Sequence, residues 1–252
     1  MSETSGPVTV VVTMAGRGSR FREAGFEEPK YAIRVHERTL FDWSMTSLLQ
    51  FARRGERFVF IALSEHKVGG FVRSAAARLD LGEVEVVEID GVTDGQATTV
   101  LAAREHIGPD DRMLVYNIDT FIDPVAVRPE EFSQPGWIPC FPGEGDGWSF
   151  ARTDEHLRVL EVREKQRISP HASVGLYGFS SFGLYQAAYE AYYADPSRLE
   201  RGEKYIAPMY NQLLAWNEPV SVSVIPAHAV YPLGTPQEVN AFAGRLPPRL
   251  EL

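Results

Sequence analysis

The stretch "VVTMAGRGSRF", Val11 to Phe21, ends a hydrophobic run in a glycine-rich turn that carries two arginines. A strand that stops at Gly16-Arg17-Gly18-Ser19-Arg20 offers backbone N–H groups, a hydroxyl and guanidinium groups together at one edge. Those are the donors that hold phosphate. Between Met14 and Arg38, six basic residues (Arg17, Arg20, Arg22, Lys30, Arg34, Arg38) stand against four glutamates, so the segment is positive inside a chain of formal net charge -9. Two familiar phosphate cradles do not fit. No G-x-x-x-x-G-K-[ST] string occurs, and a G-x-G-x-x-G fingerprint would need glycine where Phe21 stands.

The flanking pattern says how such a loop is positioned. "VTVVVTM" and "RFVFIAL" read as buried strands, and "TLFDWSMTSLLQFARR" sets Leu40, Trp43, Ser44, Ser47, Leu48 and Phe51 at helical spacing between them. A second unit follows, with a helix around "KVGGFVRSAAARLD", a strand "VEVVEI", a helix "DGQATTVLAAREHI" opened by Asp94 as cap, and a strand "RMLVYNID". Strands separated by helices predict an α/β fold, Rossmann-like, with a mixed but mostly parallel sheet and helices on both faces. The glycine loop then falls at the carboxyl edge of that sheet, where doubly wound folds bind ligands.

After Asp123 the texture changes. "QPGWIPCFPGEGDGWSF" is rich in Gly, Pro and Trp, and "RVLEVREK" and "ASVGLYGF" read as strands. This predicts a small insertion or lid built onto the same sheet. Helices near "FGLYQAAYEAYYAD" and "IAPMYNQLLAWN", then a strand "VSVSVIP", complete the pattern. Residues 1–7 are expected to be a disordered tail and 8–252 a single domain; no internal repeat occurs, and no hexapeptide repeat ends the chain.

Composition narrows the function. At net charge -9 the chain is a poor match for nucleic acid or a membrane surface, since both call for positive surface. The apolar run Val8 to Val12 is too short for a signal-peptide core or a membrane span, and a cytoplasmic location is expected. The sole cysteine, Cys140, has no partner for an internal disulfide, and no Cys/His cluster suggests zinc. The tyrosine-rich "YQAAYEAYYAD" offers a homodimer contact as readily as core.

"MAGRGSRFREAGFEEPKYAI" resembles the signature of nucleotidyltransferases that join a nucleoside monophosphate to a small phosphate ester, the nucleotide-diphospho-sugar pyrophosphorylase-like enzymes: a G-x-G-[ST]-R loop, a variable stretch, then Pro-Lys. The resemblance implies that Met14, Ala15, Gly16, Gly18 and Ser19 wrap the triphosphate of an NTP, and that Arg20 and Lys30 carry its α- and β-phosphate charge. It further implies that Gly95, Gln96 and Ala97 in "DGQATTVLAA", with Asn117, complete the nucleotide pocket, and that Asp119 in "LVYNIDTFID" binds Mg2+. "GDGWSF", "VREKQRIS" and "ASVGLYGF" resemble the half that holds the phosphorylated acceptor and "GEKYIAPMYNQLLAW" and "YPLGTPQEV" the family's closing segments, which implies that Trp148, Glu164, Lys165, Gly175 and Tyr205 bind the acceptor. Residues 8–123 are thus expected to be mainly the nucleotide half and 124–252 mainly the acceptor half.

Asp123, just before a proline, is a weaker metal candidate. One departure concerns the metal: many relatives carry an aspartate just before the late Gly-Thr motif as a further metal ligand, whereas "YPLGTP" has Leu233 there. Within the family the chain is most similar in flavour to bacterial surface-polysaccharide cytidylyltransferases acting on phosphocholine or phosphorylated glutamine, which favours CTP while leaving sugar 1-phosphates open. Two other readings stand beside this one. A nucleotide-sugar-dependent glycosyltransferase would need a D-x-D motif, and "NIDTFID" spaces its aspartates too widely; a catalytically silent nucleotide-binding module has the leucine at 233 in its favour.

Overall fold

β-branched and aromatic runs on either side of the glycine loop pair with one another in the computed structural model, which describes residues 8–245. The predicted tail at residues 1–7 lies outside the described residues. In chain order the first elements are β1 (Val8–Thr13), α1 (Ser19–Glu23), β2 (Arg34–Val35), β3 (Arg38–Thr39), α2 (Leu40–Thr46), α3 (Leu49–Ala52), β4 (Arg57–Leu63), α4 (Gly69–Arg78), β5 (Val84–Ile89), α5 (Gln96–Val100) and β6 (Arg112–Asn117). Then come β7 (Thr120–Ile122), β8 (Gly136–Pro142), β9 (Ser149–Thr153), β10 (Val159–Glu164), β11 (His171–Ser173), β12 (Leu176–Phe179), α6 (Phe182–Tyr192), α7 (Tyr210–Ala215), β13 (Val220–Val224), β14 (Val230–Pro232) and α8 (Pro236–Ala243).

The strands β5, β4, β1 and β6 run parallel, and β12 continues the sheet antiparallel to β6. The whole sheet has ten strands in the order β10-β9-β11-β8-β12-β6-β1-β4-β5, with β13 parallel to β8. It is the mixed sheet expected, with a parallel core, and the Gly- and Trp-rich stretch after Asp123 extends that same sheet through antiparallel pairs.

Alternation along each strand decides which helix covers which face. Val10, Val12, Phe58, Phe60 and Leu114 pack with Phe41, Met45 and Val72 of α2 and α4. The intervening Val11, Val59, Ile61 and Val115 pack with Val100, Tyr185 and Leu213 of α5, α6 and α7. Both faces of the central strands are therefore apolar, as a doubly covered sheet requires. A third cluster, with Phe21, Trp43, Phe121, Leu233 and Phe242, joins α1, α2, β7 and α8 beside the glycine loop.

Three local expectations change. The helix read through Leu40 to Arg54 breaks into α2 and α3 at a tightened turn, where the Ser47 and Leu48 amides donate to the Ser44 and Met45 carbonyls at 3.2 and 3.0 Å; the Ser47 hydroxyl there accepts the Ile122 amide at 2.8 Å and the Tyr116 phenol at 3.2 Å. The helix read from Asp94 begins later. Gly95 occupies the N-cap of α5, and the Asp94 carboxylate pairs with Lys204 at 2.8 Å. The strand read through "ASVGLYGF" divides at Gly175, whose φ of +81° bends the chain while its carbonyl accepts the Asn117 amide at 3.0 Å. Cys140 is fully buried, and burial pushes its thiol up. Among the described residues no helix is long and apolar enough to cross a membrane.

Candidate active site

The carboxyl ends of β1, β4, β5 and β6 open onto a cleft of about 930 Å³. The turn between β1 and α1 forms one wall, Val92 to Gln96 another, and Gly202, Glu203 and Gly234 reach in from later in the chain.

The glycine loop is shaped by Gly18, at φ +64°, which caps α1 through its carbonyl; the Phe21 and Arg22 amides donate to it at 3.0 and 3.2 Å. A side chain there would be strained. Met14 and Ala15 are buried at the root of the loop, whereas Gly16, Ser19 and Arg20 are exposed at its rim. Arg20 forms no ion pair among the described residues, so its fork is available to an anion. Lys30, following Pro29, points back over the Phe21 ring with Nζ 5.7 Å from the centroid and 3.5 Å from Asp119 Oδ2. The lysine side chain is 16% exposed and the aspartate 42%, which makes Asp119 the more open partner.

Asp119 follows β6, and its carbonyl accepts the Leu233 amide at 2.7 Å. Leu233 itself is fully buried in the third cluster, so the place of the late acidic residue is taken by core. Asp123 caps the short turn after β7, accepting the Val125 amide at 3.1 Å, and does not line the cleft.

On the opposite wall the amide nitrogen of Gln96 donates to Thr13 Oγ1 at 2.9 Å and to Asn117 Oδ1. Both amide hydrogens are thereby committed. Its carbonyl oxygen has no hydrogen-bond partner among the described residues. Gly95, at φ +146°, lies so close to the chain ahead of Tyr205 that a Cβ would stand 2.3 Å from the Lys204 carbonyl oxygen. Ala97 is buried, and its amide donates to that same carbonyl at 3.0 Å; it supports the wall without lining it.

Of the residues expected to hold the acceptor, none lines this cleft; they form a layer adjoining it. The Lys165 ammonium donates to the Tyr205 phenol and sits 4.3 Å from the centroid of its ring. Ser149 donates to the buried Glu164 carboxylate. Trp148 donates to the Glu144 carbonyl at 3.1 Å and meets Phe141 edge-on. Gly175 abuts the cleft from behind: a Cβ there would lie 2.9 Å from Asn117 Nδ2. Burial, then the hydrogen bond and charge of Glu203, push the Tyr205 phenol up, and Glu203 itself lines the cleft.

Burial also raises the Glu164 carboxyl above its ordinary 4.5, against the Ser149 hydrogen bond and the Lys165 charge. A carboxyl whose folded-state pKa is raised contributes stability that is complete below the unfolded pKa and lost as pH climbs through the folded one. Glu164→Gln is therefore expected to raise the melting temperature at pH 8 and to raise it less, or not at all, at pH 4. Equal increments at both values would contradict a buried, reluctant charge.

Thr13, His66 and Glu203 line the cleft without having been picked out from the sequence, and Gly234 lines it as the glycine of the late Gly-Thr motif. Thr13 sits at the end of β1, one residue before the motif, and only that adjacency could have signalled it. Nothing local marks His66, whereas that motif marks Gly234. They arrive through the sheet order and through the packing of α8.

Comparison with solved structures gives three informative likenesses. A nucleoside-diphosphate-sugar pyrophosphorylase from Vibrio cholerae is 34% identical, matches 94% of this chain and 100% of that one, and superposes with a TM-score of 0.87. A putative glucose-1-phosphate thymidylyltransferase from Bacillus anthracis, in complex with a sucrose, is 18% identical over 95% of this chain and 96% of that one, with a TM-score of 0.72. The inositol-1-phosphate CTP transferase from T. maritima is 16% identical over 93% and 92%, with a TM-score of 0.73. No protein-family model matches the chain, and no curated protein does.

Proposed function

Because the chain belongs to the nucleoside-diphosphate-sugar pyrophosphorylase family of nucleotidyltransferases, we propose that it transfers a nucleoside monophosphate from CTP to a small phosphorylated acceptor and releases pyrophosphate. The acceptor is a phosphorylated non-sugar such as phosphocholine or phosphorylated glutamine, or a sugar 1-phosphate, and the product is an activated precursor for surface polysaccharide. The observation that carries this reading is the meeting of Arg20, Lys30, Gln96 and Asp119 around one cleft at the carboxyl edge of the sheet.

An acceptor phosphate is already ionised near neutral pH, so attack on the α-phosphorus needs no strong general base. An acceptor oxygen forms the new P–O bond, the α–β bridging bond breaks, and pyrophosphate leaves with the bonding electrons. The enzyme's share is to bring two polyanions together and to stabilise the charge that builds up. The loop amides and Arg20 hold the departing phosphates, and Lys30 places a compact positive charge beside the reacting one.

The committed amide hydrogens of Gln96 support CTP. Its free carbonyl oxygen accepts from the exocyclic amino group of cytosine, whereas uracil presents a carbonyl at that edge and would set oxygen against oxygen.

Asp119 would hold magnesium. Gly234 leaves room for it: a Cβ there would stand 3.5 Å from Asp119 Oδ2 and 3.3 Å from Glu238 Oε2, and that space is empty of side chain. Among the described residues no group of three or more His, Cys, Asp or Glu is gathered to hold a metal. That donor set suits magnesium, which takes one or two carboxylates together with substrate phosphates and water. When bound, the ion neutralises phosphate charge.

The direct test measures pyrophosphate release with magnesium, the four common ribonucleoside triphosphates plus dTTP, and a panel of sugar 1-phosphates, phosphocholine and phosphorylated glutamine. Release that depends on CTP and on one acceptor is expected. Nucleotide binding without release for any acceptor would overturn the proposal.

A further inference from the structure

One residue past the cleft-lining Glu203, the chain makes an unusually complete attachment to the opposite wall. Glu200 and Glu203 exchange backbone hydrogen bonds of 3.1 and 3.0 Å around Arg201 and Gly202, whose φ values are +53° and +81°. Positive φ at both central residues is the signature of a tight type I′ hairpin turn. At its foot the Lys204 amide donates to the Asp94 carbonyl at 2.9 Å, and the Lys204 carbonyl accepts the Ala97 amide at 3.0 Å. The ammonium lies 2.8 Å from Asp94 Oδ2, donates to the Tyr189 phenol at 3.0 Å, and faces the Tyr189 and Tyr193 rings at 5.2 and 5.7 Å.

Every polar group of Lys204 is thus spent on residues 94–97 or on the face of α6 behind them. Gly95 is the sequence's accommodation to this contact, since any Cβ there would strike the Lys204 backbone. Although desolvation acts the other way, the Lys204 ammonium and Thr98 hydroxyl hold the Asp94 carboxyl below its ordinary value. Gln96 lies inside this clamp, fixed by Thr13 and Asn117 on its other side.

We propose that Lys204 is a positioning residue for base selection, setting from the acceptor half of the chain the place at which Gln96 meets the nucleobase. The proposal rests on the nucleotidyltransferase reading of the cleft. Lys204 makes none of its contacts with the glycine loop, Lys30 or Asp119, so phosphate binding and base discrimination separate when it is lost.

Calorimetric titration of the full chain with the magnesium complexes of CTP, UTP, ATP, GTP and dTTP, and with inorganic tripolyphosphate, reads both quantities without an acceptor. In Lys204→Met, which keeps the apolar stem against the tyrosine rings, the ratio between the tightest and weakest nucleoside triphosphate is expected to shrink about tenfold, while tripolyphosphate affinity stays within about twofold. Lys204→Arg restores most of the ratio, and Asp94→Asn reproduces the loss should the methionine variant fail to fold. An unchanged ratio in both Lys204→Met and Asp94→Asn overturns the proposal. So does a parallel loss of tripolyphosphate binding, which is what a purely structural role would give, or a wild type that does not discriminate among bases. A wild type that binds tripolyphosphate but no nucleotide would instead refute the nucleotidyltransferase reading itself.

Discussion

Alanine at position 30 is expected to lower kcat for pyrophosphate release by about a hundredfold or more, the scale of losing one preorganised charge at a reacting phosphate. The geometry makes the loss hard to compensate. The Lys30 ammonium is largely enclosed, held over Phe21 and beside Asp119, and it is not one of several interchangeable surface cations. Removing it also leaves Asp119 without its ion-pair partner, at the point where a triphosphate must approach, so the KM for nucleotide rises as well. Lys30→Arg should recover little, because a planar fork needs more room above Phe21 than an ammonium does. The decisive comparison is steady-state kinetics of wild type and variant alongside their melting curves. A stable Lys30→Ala protein with wild-type kcat would remove Lys30 from the mechanism.

The second large effect is expected from Asp119→Asn, a change that keeps the shape and removes the charge. Turnover should fall by about a hundred- to a thousandfold, in line with loss of a group that organises charge at the reacting centre, and the magnesium concentration for half-maximal rate should rise. Stability should change little, since the Lys30 pair is partly exposed and such pairs contribute weakly. The two variants should also part company in binding inorganic tripolyphosphate without metal. Asp119→Asn frees Lys30 and tightens it; Lys30→Ala leaves the carboxylate unopposed and weakens it. Calorimetry that found both variants shifted in the same direction would mean that the ion pair does not govern anion entry.

The glycine loop and Lys30 were legible before the fold because their arrangement is local. Gly16 to Arg20 and Pro29-Lys30 lie within a single turn and its return, so spacing along the chain is nearly spacing in space. The parallel core was legible for a related reason: uninterrupted runs such as Val10-Val11-Val12 are what a sheet covered on both faces demands.

What escaped was set by distant partners. Ser47 sits at an ordinary helical position in the sequence, yet in the fold its hydroxyl is claimed by β6 and β7 at the point where α2 ends. Glu203 is an unremarkable exposed glutamate until Lys204 bonds to Asp94 and Ala97 and carries it to the cleft. The expected acceptor residues fall in the adjoining layer because Lys165 is turned onto Tyr205 and Glu164 is drawn in by Ser149. Side-chain partnerships of that range leave no periodicity to read.

The order in which the cleft's parts occur along the chain has a consequence for biosynthesis. The glycine loop is translated early, but β1 lacks its neighbour β6 until residue 117 has been made, and Asp119 lacks the backbone hydrogen bond from Leu233 until β14 has passed. Gly202, Glu203 and Gly234 come later than most of the core. A nascent chain folding from its N-terminus would thus carry the glycine turn for most of its synthesis without a finished cleft, and the cleft would close only in chains whose translation has reached α8.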